Sequence, residues 1–179
     1  MTKKELMSHI VLDSMFVRSY CWNKFVSRRL YETIRFPVGR RFEDFGTVYK
    51  LVHLAEKVYV TDAVLYNYVR HDGSLTNSPY LFSYAEARYV FHTEILEHVK
   101  EYFPELVDLQ LSVMLRDLLE LREALKEKPH RRAITEKIDL VVSTYQSRLK
   151  AVIKYSKLVK VFYYCPVLVK PILLIRRRF

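Results

Sequence analysis

The sequence predicts an α+β fold that is mostly helical. Three observations carry that expectation. Only three glycines and six prolines occur among 179 residues, while Leu, Val, Tyr, Glu, Lys and Arg are abundant. Three long stretches after Ser78 read as helices separated by short breaks. Two short runs before it, Val58-Tyr59-Val60 and Val64 to Val69, alternate like strands. Half of the residues are hydrophobic and 28% are charged. That composition is globular and excludes intrinsic disorder. The length suits one domain with a real core.

The elements follow in order. Thr2 to Asp13 reads as a short amphipathic helix with Leu6 and Ile10 on one face. Ser19 to Lys24 is a compact segment that holds the only tryptophan. Ser27 caps a short turn through Tyr31. Phe36-Pro37-Val38-Gly39 is a loop signal. Glu43 to Ala55 reads as a helix with Tyr49, Leu51 and Val52 as its apolar stripe. The two short strands come next, and His71-Asp72-Gly73-Ser74 ends the unit in a turn. Ser78-Pro79 is an N-cap with proline at the first helical position, which opens a helix to Tyr102. Pro104 opens a second, reaching about Lys126, and a third runs from about Arg131 to Lys157. The expected organisation is a mixed segment (1–77), a helical segment (78–157) and a basic, aromatic tail (158–179).

The net charge of +10 is unevenly spread. The last acidic residue is Asp139, and nine basic residues follow it. Residues 1–139 hold 21 basic against 20 acidic groups and are close to neutral. Such asymmetry points to a tail that meets something anionic. The tail from Lys154 to Phe179 mixes Leu, Val, Ile, Phe and Tyr with Lys and Arg, which suits the headgroup region of an anionic membrane. The same pattern also reads as a terminal helix packed on the body with its basic residues outward. Nucleic-acid binding would rest on charge alone, because no recognition motif accompanies it. No apolar run approaches the roughly 20 residues of a membrane-spanning helix, and Pro166 breaks the longest candidate. The polar N-terminal stretch does not read as a secretory signal. Cys21 and Cys165 form no Cys-x-x-Cys pair, so neither a zinc site nor a disulfide framework is indicated. A cytoplasmic setting is the default, with a peripheral position on the inner face of the membrane if the tail binds lipid.

Four stretches stand out by their order. They are Tyr20-Cys21-Trp22-Asn23-Lys24-Phe25, then Ile34-Arg35-Phe36-Pro37 leading through Gly39 to Phe42-Glu43-Asp44, then Tyr49-Lys50-Leu51 with Ala55-Glu56-Lys57-Val58, then Leu65-Tyr66-Asn67-Tyr68-Val69-Arg70-His71-Asp72-Gly73-Ser74. Together they resemble the acceptor-side half of bacterial family 2 glycosyltransferases, inverting GT-A type enzymes that build capsule, lipopolysaccharide or other surface glycans. The resemblance is tight over roughly residues 1–75. It implies a remnant of the GT-A acceptor subdomain followed by a helical C-terminal region.

The resemblance also implies roles. Asp44 would be the general base that takes the proton from an acceptor hydroxyl as it attacks the anomeric carbon, and Glu43 would orient it. The same pair also reads as a plain helix N-cap. Trp22, Asn23 and Lys24 would line the acceptor side, where an aromatic face suits a sugar ring and amide or ammonium groups suit hydroxyls or phosphate. The other reading is a core tryptophan with two solvated neighbours. Arg70 and His71 would lie nearest the donor diphosphate, or form an ordinary turn. The family often has a second arginine where His71 stands, and histidine is only partly charged near neutral pH. His92 and His98 do not share a helix face at metal-ligand spacing, and His53 reads as packed on a helix. Glu94, Glu97, Asp117, Glu120 and Glu123 read as solvated helix faces.

The family's nucleotide-binding half carries an Asp-x-Asp motif that holds manganese or magnesium. This chain has no Asp-x-Asp and no glycine-rich phosphate loop. The implied substrates are a nucleotide-sugar donor and a glycan or lipid-linked acceptor. The implied metal would sit in the other half, so this chain by itself is expected to be inactive and to be a truncated, split or excised piece. The apolar face left by the missing sheet predicts a homodimer or poor solubility. The competing expectation, from a different class, is a non-catalytic helical basic module that binds a membrane surface or a partner protein.

Overall fold

The structure is a computed structural model and describes residues 2–14, 17–69 and 82–176. The chain is mostly helical, and among the described residues there is no strand. It divides into two compact units, Met1–Tyr80 and Leu81–Phe179.

The first unit rests on two packed helices. α1 (Lys3–Leu12) begins with a capping box. Thr2 Oγ1 accepts from Glu5 N at 3.2 Å, and Thr2 N donates to Glu5 Oε2 at 2.7 Å, so two donors that the helix start would orphan are satisfied. Leu6, Met7, Ile10 and Val11 form the buried stripe. They meet α2 (Val48–Leu54), which buries Val48, Tyr49, Leu51 and Val52. The expected stripe of α2 is therefore present, but the helix starts at Val48 rather than at Glu43. Residues 41–47 are successive turns. Phe42 is left-handed, with φ 61°, a conformation no helix residue adopts. Ser27 precedes a 3-10 helix, Arg28–Glu32, without a side-chain cap bond.

Residues 58–60 and 64–69 do not form the two expected strands. Every residue from 56 to 69 is exposed. An alternating run becomes a strand when one face buries and a second strand supplies its hydrogen bonds, and neither condition is met here. The expected turn at 71–74 and the Ser78-Pro79 helix start lie outside the described residues.

The second unit is a helical bundle built round one central helix. α3 (Phe82–Tyr102) is followed by a 3-10 turn, Pro104–Leu106, and by α4 (Val107–Ala124). α4 buries residues on every side, among them Leu111, Met114, Leu115, Leu118 and Leu119. A helix apolar all round belongs at the centre of a fold, and α4 touches α3, α5, α6, α7 and α8. α5 (Lys128–Thr144) is a surface helix instead. It buries only Ile134, Ile138 and Val141, a single i, i+4, i+7 stripe.

The helix expected from Arg131 to Lys157 is broken into pieces. After α5 come a 3-10 turn, Gln146–Arg148, a short α6 (Leu149–Val152) and α7 (Lys157–Tyr164). The break follows a run of helix competitors at 143–147. Ser143 Oγ donates back to Leu140 O at 3.0 Å, the kind of local side-chain bond that competes with the helical ladder. Ser156 then caps α7, its hydroxyl accepting from Val159 N. A 3-10 turn, Pro166–Leu168, leads into α8 (Val169–Arg176). Leu158, Val159, Val169 and Leu173 are buried, and α7 and α8 both lie on α4.

Candidate functional site

The candidate site in the first unit starts at the end of α1. Asp13 closes that helix in the left-handed region, with φ 47°, a position Asp tolerates better than most residues. Its carboxylate then holds the next loop. Oδ1 accepts from Ser19 N at 2.9 Å and from Ser19 Oγ at 3.1 Å, and Arg18 lies 4.0 Å from Oδ2.

Lys24 closes the loop from its other end. Its ammonium donates to Arg18 O, to Tyr20 O at 2.6 Å and to Asn23 Oδ1 at 2.8 Å. Three donors meet three acceptors, which uses the whole capacity of the group. Burial pushes the Lys24 ammonium down to about 8, against the pull of Asp13 and Asp44. Lys24 thus builds the loop rather than projecting from it, while Asn23, which accepts its third bond, is exposed.

What projects is Trp22, 37% exposed. Its ring stacks on Tyr20 at 5.3 Å between centroids and meets Tyr66 at 4.9 Å and Tyr68 at 5.1 Å. Arg18 sits over the Tyr20 ring at 5.6 Å. The result is an aromatic ledge open to solvent. Tyr66 and Tyr68 were not among the expected site residues. Their signal was their spacing, because residues two apart in a non-helical run fall on one side.

Asp44 is half-buried and Glu43 is exposed. Asp44 Oδ1 accepts from Phe45 N at 2.7 Å, and its carbonyl accepts from Thr47 N at 3.0 Å and Val48 N at 2.9 Å. Asp44 therefore holds the last of the turns that lead into α2. The residue before the pair, Phe42, carries the left-handed backbone that costs a bulky residue about 1 to 2 kcal/mol, and Gly46 N donating to Phe42 O at 3.1 Å holds that turn.

The charges of Glu43 and Asp44 reach the Tyr20–Lys24 loop. Burial pushes the Cys21 thiol up, and the charges of Asp44 and then Glu43 push it further. Lys24 feels the same Asp44. Glu43-Asp44 and the Tyr20–Lys24 loop are thus electrostatic neighbours although they come from separate stretches. Arg70 and His71 lie outside the described residues. A cleft of about 310 Å³ lies between Thr2, Lys3 and Leu6 and residues 55–60, and none of the site residues lines it.

The second unit holds a different cluster. His92, fully buried at 0% exposure, shares Asp117 with Arg88. Arg88 Nε donates to Asp117 Oδ2 at 2.8 Å, and His92 Nε2 lies 2.9 Å from the same oxygen. Gln110 Nε2 donates to His92 O at 3.0 Å and lies 3.2 Å from His92 Nδ1. The amide is pinned by the carbonyl, so Nδ1 must accept and Nε2 must carry the proton toward Asp117. Burial lowers the His92 pKa, only partly opposed by Asp117. Burial would raise the Asp117 carboxyl, but the Arg88 charge and the His92 bond outweigh it and hold the acid well below the usual carboxylate range. Asp117 is thus an internal ion-pair partner rather than part of a solvated face. So is Glu123, whose side chain is 7% exposed and bridges Arg122 at 2.9 Å and Arg131 at 2.8 Å. With His92 sealed from solvent, this cluster ties α3 to α4.

Among the described residues, no three His, Cys, Asp or Glu side chains gather as metal ligands. Among the same residues, no helix is long and apolar enough to cross a membrane. No family model matches the chain, and neither a curated protein nor a solved structure matches it.

Proposed function

We propose that the first unit is a saccharide-binding surface of the acceptor-side kind found in family 2 glycosyltransferases. The observation that carries the reading is the solvent-open ledge of Trp22, Tyr20, Tyr66 and Tyr68, set on a loop beside Asp44. Aromatic faces pair with the apolar C–H face of a sugar ring, and their polar tips stay wet. In this reading Lys24 and Asn23 are positioning residues that shape the loop, and Asp44 accepts the proton of the attacking hydroxyl. In this reading the donor nucleotide and its metal are held by residues outside this loop.

The test uses a feature of the sequence. Trp22 is the only tryptophan, so intrinsic fluorescence reports the ledge directly. Titration with a panel of neutral oligosaccharides should give a saturable change in Trp22 emission. The change should disappear in Tyr66→Ala and Tyr68→Ala and persist in Asp44→Asn. Any transfer from sugar nucleotides with manganese or magnesium should vanish in Asp44→Asn. A flat emission across the whole panel would overturn the reading.

A further inference from the structure

The C-terminal end of the second unit has two faces. Inward, Leu158 and Val159 of α7 and Val169 and Leu173 of α8 are buried, and both helices rest on α4. Outward, the side chains are of a different kind. Lys157, Lys160 and Tyr164 stand at i, i+3 and i+7 on α7, one helical face, and all three are exposed. At the apex between the helices, the Pro166–Leu168 turn holds Val167 at 77% and Leu168 at 47% exposure. Lys170 is exposed just beyond the apex, and Lys154 just before α7. From residue 140 on, the chain has no acidic side chain to neutralise them.

We infer that this apex docks onto the surface of an anionic phospholipid bilayer. The inference is independent of the saccharide reading of the first unit. Two features select lipid over other anionic partners. The lysines match anionic headgroups, which attract basic side chains near the surface. The exposed aliphatic pair at the tip needs a hydrocarbon boundary to enter, which a nucleic-acid backbone does not offer. Tyr163 and Tyr164, 4.9 Å apart edge to face, are rings of the kind that settle at the membrane–water boundary. Because the inner face anchors the helices to α4, the lysines and the tip are held together by the fold.

The experiment is co-sedimentation of the full chain with vesicles of phosphatidylcholine alone and with phosphatidylserine added, from about 0.01 M to about 1 M salt. Binding should require phosphatidylserine and weaken as salt rises. Replacing three lysines (Lys157→Gln, Lys160→Gln, Lys170→Gln) should lower the affinity about a hundredfold, at roughly fivefold for each charge near the surface. Val167→Ser with Leu168→Ser should remove the binding that survives high salt. These side chains are exposed, so circular dichroism should match the parent in both variants. Equal binding to neutral vesicles, retention of binding by the triple lysine variant, or tighter binding to duplex DNA at matched salt would each overturn the inference.

Discussion

The indole of Trp22 and the phenol of Tyr66 lie 4.9 Å apart between ring centroids, tilted by 31°, although a long loop, a helix and an exposed run separate them along the chain. Such a pair contributes about 0.5 to 1.5 kcal/mol beyond the area it covers. Tyr66→Ala should therefore loosen the ledge and move the Trp22 emission to longer wavelength even without ligand. An unchanged spectrum would mean that the contact does not persist in solution.

Lys24 leads to a prediction about pH. Its ammonium is pushed down to about 8 from 10.5 by burial, so between those values the unfolded chain binds a proton that the native chain does not. The sign is then fixed: stability of the first unit should rise as pH climbs from about 8 toward 10.5. Lys24→Gln should abolish that rise. The same variant leaves the carbonyls of Arg18 and Tyr20 short of a donor, so the Trp22 emission should also change. Denaturant midpoints across the alkaline range would check both.

The His92–Asp117 contact has a consequence of the same sign at low pH. His92 is held neutral below its ordinary 6.5. The unfolded chain gains a proton there first, so stability of the second unit should fall as pH drops below 6.5. Asp117, whose acid is held below 3.8, stabilises above that value and loses its contribution only as pH falls through its lower native value. Arg88, Arg116 and Gln110 are the other groups that face this pair. His92→Gln should flatten the first slope. Asp117→Asn should cost about 3 kcal/mol at neutral pH, because it strips the partner from a largely buried guanidinium. Urea midpoints over a pH series would separate the two.

Position along the bundle decides the cost of apolar truncation. Leu118 is 0% exposed and Leu140 is 57% exposed. Leu118→Ala should cost about 2 to 5 kcal/mol, through lost transfer energy and the cavity left behind. Leu140→Ala should lie within about 0.5 kcal/mol of the parent. Equal losses would mean that α5 packs differently from the arrangement described.

The helical expectation was readable because it rests on local signals. Pro104 starts a turn before α4, Thr2 caps α1, and the stripe of Tyr49, Leu51 and Val52 is buried as its spacing requires. The two strands were misread for a local reason too. Alternation at 58–60 and 64–69 satisfies half of what a strand needs, and the other half, a hydrogen-bonded neighbour, lies elsewhere in the chain. The break of the last long helix into α5, α6 and α7 was hidden, because helical apolar spacing continues through the serines that end it.

By itself the sequence determined the helical character, the asymmetry of charge and the single tryptophan that makes the ledge observable. Those are properties of composition and short-range spacing, and each residue carries them wherever it sits. Only the tertiary structure decided that Lys24 turns inward to three oxygens, that Tyr66 and Tyr68 join Trp22, and that Asp117 and Glu123 are ion-pair partners rather than solvated charges. The physical reason is the same in each case. Burial and hydrogen bonding depend on what the chain brings alongside a residue from far away, and no local pattern encodes that neighbour.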